Sequence, residues 1–512
     1  MPLCLAFGIV ACASQDTIIS KDYDGDRAER VFSVGYEDIT NIYIDDVRIS
    51  ELALAGIDGL GALDPAFSAG QEGDALNLYM DNVRAEQIAL PSGEDADDWG
   101  EFTAKAVTAS RIHSADLKDA ESEVLYEAVF EGMLAKLDGF SRYSGREEAK
   151  ENRASRDGFG GIGVRIRLIE EGVLILSVME GTPAEESGLL AEDVITAIDG
   201  TEVAGLSQRE AVSRLRGPLR SEVLLTIDRP DTPDPLEIEV TRAHIIPQTV
   251  SYERMGRIAY LQMSGFNQNT TRSLEEKLRE AKRDIGATLA GFILDLRDNP
   301  GGLLDQSVSV SDIFVSEGRI VTTRGRHPDS HQYFEADSDD LIADLPLVVL
   351  MNGGSASAAE IVASALQDSG RAVVVGSVSF GKGTVQTLLR LPNQGELTLT
   401  WARFHAPSGY TLNRRGVLPD ICTSGEDLEL ESLLAEVRTG TALIDRDLRG
   451  LDISDGDENA VKDLRAICPS REDRPDIDLE VAKRILTDPA LYARALQGAP
   501  HTAKLSLFQA AE

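Results

Sequence analysis

Apolar positions change their spacing twice along this chain. From about residue 15 to 150 they recur at helical intervals, and Leu125, Val129, Met133, Leu134 and Leu137 fall on one helical face. That acidic stretch predicts mostly helix, with residues 91–98 (PSGEDADD) as a loop. Ala53–Phe67 and Val129–Phe140 are weakly alike (ALAGIDGLGALDPAF and VFEGMLAKLDGF), a single echo that does not establish a repeat. From about residue 155 short strands and glycine turns take over. Gly160–Ile166 leads a strand, Val173–Val178 is another, and Thr182–Leu189 is a short helix with proline in its first turn and Gly188 at its end. Val194–Ile198 closes on the turn signal Asp199-Gly200. An amphipathic helix follows at Ser207–Leu215, and then two strands that pair, Val223–Ile227 and Leu236–Val240.

After about residue 245 strands alternate with helices. Ile258–Met263, Gly291–Leu296, Leu345–Leu350 and Ala372–Val375 read as strands, and Thr270–Arg283 and Ala358–Gln367 as helices. Such alternation predicts an α/β domain. Val385–Leu391 and Glu396–Phe404 form a hairpin about Asn393-Gln394-Gly395. From about residue 423 the chain is acidic and helical again, most clearly at Asp478–Leu486 and Pro489–Leu496. The expected organisation is a leader at 1–13, a mostly helical region at 14–150, a β-rich domain at 151–243, an α/β core at 244–422 and a helical region at 423–512. A length of 512 residues suits about three domains.

The net charge of −37, from 87 acidic and 50 basic residues, excludes the basic footprint of a nucleic-acid binder. Met1–Ser14 is apolar and uncharged, too short to span a bilayer, and lacks a basic n-region. It fits the tail of an export signal. Ile9-Val10-Ala11-Cys12 is similar to a bacterial lipobox that would leave Cys12 lipidated, and Ala11-Cys12-Ala13 fits an ordinary cleavage site; a frayed cytoplasmic terminus is the alternative. Export predicts a periplasmic or lipid-anchored protein of a bacterial cell envelope. Once the leader is removed, Cys422 and Cys468 are left, spaced unlike zinc ligands. They fit a disulfide in an oxidising compartment, or two buried thiols.

Chemistry concentrates between Asn352 and Gln386. Ser355 and Ser357 lie in a small-residue turn (GGSASAAE) that opens a helix, where free N–H groups and the positive dipole end favour an alkoxide and an adjacent oxyanion. Helix-capping serines have the same pattern. Lys382 sits between Gly381 and Gly383 after the apolar run Val373–Gly376, beside Phe380. To act as a base it must be neutral, its pKa brought from about 10.4 toward about 7–8 by desolvation or positive charge. In an extended segment Gln386 shares its face. A third element, Gly291–Leu303 (GFILDLRDNPGGL), runs a buried strand into a Pro-Gly-Gly turn able to point a backbone N–H at an oxyanion.

Together these elements resemble the carboxyl-terminal processing peptidases, or tail-specific proteases, a Ser/Lys peptidase family with a PDZ domain. Asp295–Gly302 matches its D-L-R-x-N-P-G-G turn, Ser355–Glu360 its S-A-S-A-S-E-like segment, and Phe380–Gln386 its F-G-K-G-x-x-Q. The family spacing of 25 residues between nucleophile and lysine selects Ser357 over Ser355. The resemblance implies Lys382 as base, Gln386 as its orienting partner, and the Gly302 and Ala358 N–H groups as oxyanion hole. It implies a ClpP/crotonase-like peptidase core with an inserted PDZ-like domain. There Phe159, Gly160, Gly161, Ile162 and Gly163 resemble the loop that captures a peptide C-terminus, with Arg214 and Arg216 on the following helix.

The resemblance spans roughly residues 120–422. Departures are Ala359 in place of a serine, Glu192-Asp193 where Gly-Asp is the pattern, and a loose match at Leu137–Ser141. The implied activity is a serine endopeptidase cutting proteins near exposed C-terminal tails, without cofactor or metal. An adaptor protein and a homo-oligomer are compatible partners. Two rival readings are a non-proteolytic PDZ scaffold and crotonase-like acyl transfer. His244 and His405 offer a Ser-His alternative, though His405, beside Arg403 and Pro407, reads as structural. His327 and His331 lie in a polar loop (HPDSH), where metal binding is the less favoured reading.

Overall fold

A computed structural model describes residues 23–343, 345–425, 428–448, 451, 453, 457–470 and 475–498. The expected leader at 1–13, with Cys4 and Cys12, lies outside the described residues. The chain divides into two compact units. One runs to Ala149 and includes Thr387–Leu399; the other comprises Lys150–Gln386 and the residues from Thr400 onward.

In the first unit, helices Gly25–Ile42, Ile49–Asp58, Ala96–His113 and Ser122–Leu134 surround a core of Phe32, Tyr36, Leu52, Trp99, Phe102 and Phe130. Two of the helices start on aspartate caps. Asp24 accepts from the N–H groups of Asp26 and Arg27, and Asp95 from those of Asp97 and Asp98. The region also contains a small sheet that the helical pattern did not indicate. Phe67–Glu72, Ala75–Met80 and Val83–Ala89 form an antiparallel three-stranded meander. Its second turn, Asp81-Asn82, has positive φ at both residues (49° and 62°), the two-residue hairpin geometry. Acidic turn residues in an acidic region hid that signal. Strand Arg142–Ser144 pairs with Glu396–Thr398. Buried Asn393 donates from Nδ2 to the Tyr143 hydroxyl (2.6 Å) and to Glu123 Oε1 (3.1 Å), which fixes the 387–399 hairpin tip to this unit rather than to the core.

In the second unit, residues 159–245 make a small β-rich fold. Its sheet has the strand order Leu236–Thr241, Glu222–Asp228, Val194–Ile198, Gly172–Val178, Val164–Ile169, with Thr201–Glu202 beside Val194–Ile198. Val164–Ile169 is therefore an edge. Phe159–Gly161 pairs with Ala243–Ile245, so the chain enters and leaves through one two-stranded ribbon. Glu192 takes the left-handed conformation (φ 74°) that glycine would adopt there. The turn holds because buried Asp193 receives a two-pronged Arg229 guanidinium, at 2.7 and 2.8 Å.

A second six-stranded sheet in this unit has the order Val250–Met255, Ile258–Met263, Gly291–Asp295, Leu347–Met351, Val373–Gly376, Ile421–Cys422. The first pair is antiparallel and the rest are parallel. Both faces are buried, which explains the unbroken apolar strands. Leu347, Val349 and Met351 face a core built with helices Thr270–Ile285, Leu304–Asp312 and Ala358–Asp368. Val348 and Leu350 face Leu433, Leu434, Val437, Val481, Ile485 and Leu491 from the helices beyond residue 429. The C-terminal helical region is thus the second covering layer of this sheet. Strands Gly318–Arg324 and Gln332–Ala336, which the hydrophobic pattern did not single out, form an antiparallel pair; Thr322–Arg324 also pairs with Arg403–His405.

The sequence echo between Ala53–Phe67 and Val129–Phe140 coincides with a helix pair in the first unit. A methyl on Gly132 would stand 2.4 Å from the Ala55 carbonyl oxygen, and one on Gly59 2.5 Å from that of Ala128. Glycine on both helices permits backbone-to-backbone approach. Gly132→Val is expected to lower the stability of this unit by about 1–3 kcal/mol, read as an earlier calorimetric transition.

Candidate active site

Three turns leave the C-terminal ends of adjacent parallel strands: Leu296–Leu303, Asn352–Ser357 and Ser377–Gly383. Such strand ends are where open α/β sheets place ligands. Hydrogen bonds stitch the first two together. Asn352 Nδ2 donates to Asp298 Oδ1 (2.9 Å), and the Asp298 N–H to Asn352 Oδ1 (3.0 Å). The Ala356 N–H donates to the Asn299 carbonyl (2.9 Å). Asp295, at the end of its strand, accepts from the Tyr260 hydroxyl (2.6 Å) and the Arg297 guanidinium; Arg297 in turn reaches Asp478 (3.2 Å) on helix Pro475–Thr487.

The two serines have different surroundings. Ser355 is buried, its hydroxyl donating to the Leu296 carbonyl (2.8 Å) and accepting the Asn352 N–H (2.9 Å). Both capacities are spent on the turn. Ser357 is half-buried at the start of helix Ala358–Asp368, with φ 55° and ψ −114°. A non-glycine residue held there stores on the order of 1–3 kcal/mol of backbone strain, the condition of a nucleophile on a sharp strand-to-helix turn.

Glu360 holds that turn. It is fully buried and lies in the first turn of the helix. Its Oε2 accepts the N–H of Ser357 (2.7 Å) and the N–H of Lys382 (2.9 Å); its Oε1 accepts the N–H of Gly381 (2.8 Å) and the Ser379 hydroxyl. Burial pushes the Glu360 carboxyl above the usual carboxylate range, and these four donors pull the other way. Ser379 Oγ also accepts the Val417 N–H (2.7 Å), and the Phe380 N–H goes to the Ser355 carbonyl (2.9 Å). Ser357 and Lys382 thus have their backbones on one carboxylate oxygen.

The Pro-Gly-Gly turn lies against the same corner. A methyl on Gly301 would be 2.9 Å from Ser357 Cβ and 3.0 Å from the Ala358 nitrogen. The parallel bridge between Phe266 and Gly302 uses the Phe266 and Leu303 N–H groups. Among the described residues the Gly302 and Ala358 N–H groups donate no hydrogen bond. Lys382 is half-buried and precedes strand Thr384–Arg390, which carries Gln386. The Gln386 amide nitrogen donates to Thr384 Oγ1 (2.8 Å), so its carbonyl end is the one suited to a cation.

In the β-rich fold, Phe159, Gly160 and Gly161 belong to the two-stranded ribbon, and Ile162–Gly163 make the turn into the edge strand. Gly163 (φ 91°) packs where any Cβ would meet Thr182 at 2.3 Å. Arg214 is in the last turn of helix Gln208–Leu215, while Arg216 lies just past it, its guanidinium 3.9 Å from the centre of the Phe159 ring. His244 is in the ribbon, and His327 and His331 flank the short turn Pro328–Ser330. His405 ends strand Glu396–His405. Cys422 and Cys468 are joined by a disulfide. The residue whose role sequence reading missed is Glu360. The available signal was a carboxylate three residues after a helix-start serine, the spacing that lets a side chain reach back to the capping N–H.

The sequence model of peptidase family S41 matches residues 257–423, and that of the PDZ domain matches residues 160–240. A carboxy-terminal-processing protease of Bartonella bacilliformis is 37% identical over 385 residues, covering 75% of this chain and 87% of that protein. A probable CtpA-like serine protease of Staphylococcus aureus is 32% identical over 314 residues, 60% of this chain and 62% of the relative. Among solved structures, the photosystem II D1 C-terminal processing protease is 24% identical with a TM-score of 0.39, covering 79% of this chain and 96% of its own.

Replacing Glu360 by glutamine puts an N–H donor among four donors. Glu360→Gln is expected to destabilise the second unit by about 1–3 kcal/mol, seen as a lower urea midpoint, and to speed amide hydrogen exchange at Gly381 and Lys382.

Proposed function

Because this chain belongs to the carboxy-terminal-processing proteases of peptidase family S41 and carries a PDZ domain, we propose that it is a serine endopeptidase that cleaves proteins near their C-termini with a Ser357–Lys382 dyad. The observation that carries this reading is the shared acceptor: one oxygen of buried Glu360 takes the N–H of Ser357 and the N–H of Lys382. Two groups separated in sequence are thereby tied to one point.

In this reading neutral Lys382 removes the Ser357 proton as Oγ attacks the scissile carbonyl carbon. The carbonyl oxygen gains charge and accepts hydrogen bonds from the Gly302 and Ala358 N–H groups, with the helix dipole behind the second. Lys382 then gives its proton to the leaving amine. Water, deprotonated by the same amine, hydrolyses the ester on Ser357 and restores both groups. Gln386 orients the lysine through its carbonyl oxygen. The core that supports this chemistry is of the ClpP/crotonase type, a reading favoured by its parallel strands with helices on both faces.

Substrate selection falls to the PDZ domain. Its edge strand Val164–Ile169 has a free side to which an extended tail adds as a further strand. The turn Ile162–Gly163, held by Phe159, Gly160 and Gly161, presents N–H groups to the terminal carboxylate. The protein works in a bacterial cell envelope, soluble in the periplasm or anchored through lipid on Cys12, with an adaptor or a second copy of the chain as further partners. The apolar start of the sequence and the Cys422–Cys468 disulfide support that placement.

Ser357→Ala and Lys382→Ala are each expected to cut turnover of a tail-bearing protein by about a thousandfold or more with unchanged thermal unfolding. Full activity in both variants rejects the dyad. Amidating the substrate's C-terminus is expected to raise KM by about tenfold with kcat unchanged, and an unaltered KM removes the carboxylate from recognition.

A further inference from the structure

The proposed reactive groups all precede Cys422, yet the loop carrying Lys382 is gripped from well beyond it. Arg465 lies at the end of helix Glu458–Ala466. Its Nη1 faces four carbonyl oxygens: Ser379 (2.9 Å), Arg415 (3.1 Å), Phe380 (3.4 Å) and Arg414 (3.4 Å). Those carbonyls belong to two backbone segments that touch beside Lys382. The Arg414 N–H donates to the Gly381 carbonyl (2.8 Å), and a methyl on Gly383 would be 2.0 Å from the Asn413 nitrogen.

The second segment is anchored to the same region. Buried Arg415 donates to the Leu448 (2.7 Å) and Leu451 (2.8 Å) carbonyls, and Arg414 pairs with Glu458 (3.0 Å). Cys468, three residues past Arg465, is disulfide-bonded to Cys422 at the end of the last core strand, and its carbonyl accepts the Val378 N–H (3.1 Å). Leu464 and Cys468 pack with Val378 and Leu418 in a small buried cluster. The helix therefore has little freedom to move relative to the loop.

The division of labour at residues 379–382 is informative. The N–H groups of Gly381 and Lys382 end on the Glu360 carboxylate, and the carbonyls of Ser379 and Phe380 face the Arg465 guanidinium. The Phe380–Gly381 peptide group thus has its N–H on the carboxylate and its C=O toward the guanidinium, its dipole aligned between the two side-chain charges. A lysine base on a flexible stem depends on such a fixed backbone, since about 1 Å of misplacement costs on the order of a hundredfold in rate. Burial lowers the Arg465 guanidinium from its ordinary value while the Glu360 carboxylate acts to raise it, which places the two charges within electrostatic reach.

We propose that Arg465 is a positioning residue for the Lys382 amine, so that residues 458–468, beyond the matched peptidase segment, are part of the catalytic apparatus. The inference rests on the Ser357–Lys382 reading. Steady-state cleavage of a tail-bearing protein by the full chain tests it, with Arg465→Met, Arg465→Lys and the surface control Arg484→Gln, whose guanidinium pairs only with exposed Glu431 among the described residues. Arg465→Met is expected to lower kcat by about 10- to 100-fold with KM within about twofold, and Arg465→Lys to recover part of the loss. Arg484→Gln stays at the wild-type value. A folded Arg465→Met protein with wild-type kcat, or with raised KM alone, overturns the proposal. Should Arg465→Met melt below the assay temperature, Arg465→Lys decides: reduced kcat at constant KM upholds the role and wild-type kcat overturns it. Ser357→Ala, assayed alongside, separates the two levels, because retained activity there rejects the dyad itself whatever Arg465 does.

Discussion

Everything at the candidate site depends on one buried carboxylate. Placing Glu360 in the interior without solvent is costly, several kcal/mol for an ion of this kind in a low-dielectric setting. The protein offsets that by aiming four donors at it, from Ser357, Ser379, Gly381 and Lys382. The requirement runs both ways. Because the carboxylate must be satisfied, the strained turn at Ser357 and the glycine-flanked loop at Lys382 have only one compatible arrangement. Glycines at 381 and 383 follow from the same constraint, since the backbone packs against residues 412–416 more closely than a Cβ allows.

The outlines of this arrangement were legible in the sequence because they reside in local signals. A small-residue turn after an apolar strand, a Gly-Lys-Gly loop after another and a Pro-Gly-Gly turn after a third each announce themselves over a few residues. The parallel strands were visible for the same reason: two covered faces demand unbroken runs such as Leu347–Met351. What escaped was non-local. Glu360 reads as an ordinary first-turn glutamate until its three distant donors, some 20 residues away, are known. The meander at 67–89 was lost because Asp81-Asn82, an effective hairpin turn, is inconspicuous among so many acids. Nothing near Thr387–Leu399 indicates that Asn393 joins it to Tyr143 and Glu123, more than 200 residues earlier in the chain.

The described helices beyond residue 429, without recognisable motif, are accounted for by packing. They supply Leu433, Leu434, Val437, Val481 and Ile485 to the face of the central sheet opposite helix Ala358–Asp368. Asp478 links this layer to Arg297 and through it to Asp295, one turn before Asn299 and the glycines. A patterned amphipathic helix shows that it covers something; only the assembled sheet shows what. That is why periodicity identified these helices and left their partner open.

The order of these parts along the chain has a consequence for biosynthesis. Ser357 and Lys382 are polymerised before the helices that cover one face of their sheet and before the cysteine that closes the Cys422–Cys468 bridge. The hairpin tip that completes the first unit also follows nearly the whole parallel sheet. Domains generally fold as units during N-to-C synthesis, and here neither unit can finish early. An unfinished chain therefore holds Ser357 and Lys382 in an unassembled framework, and their surroundings are complete only after the chain has been made through its late helices.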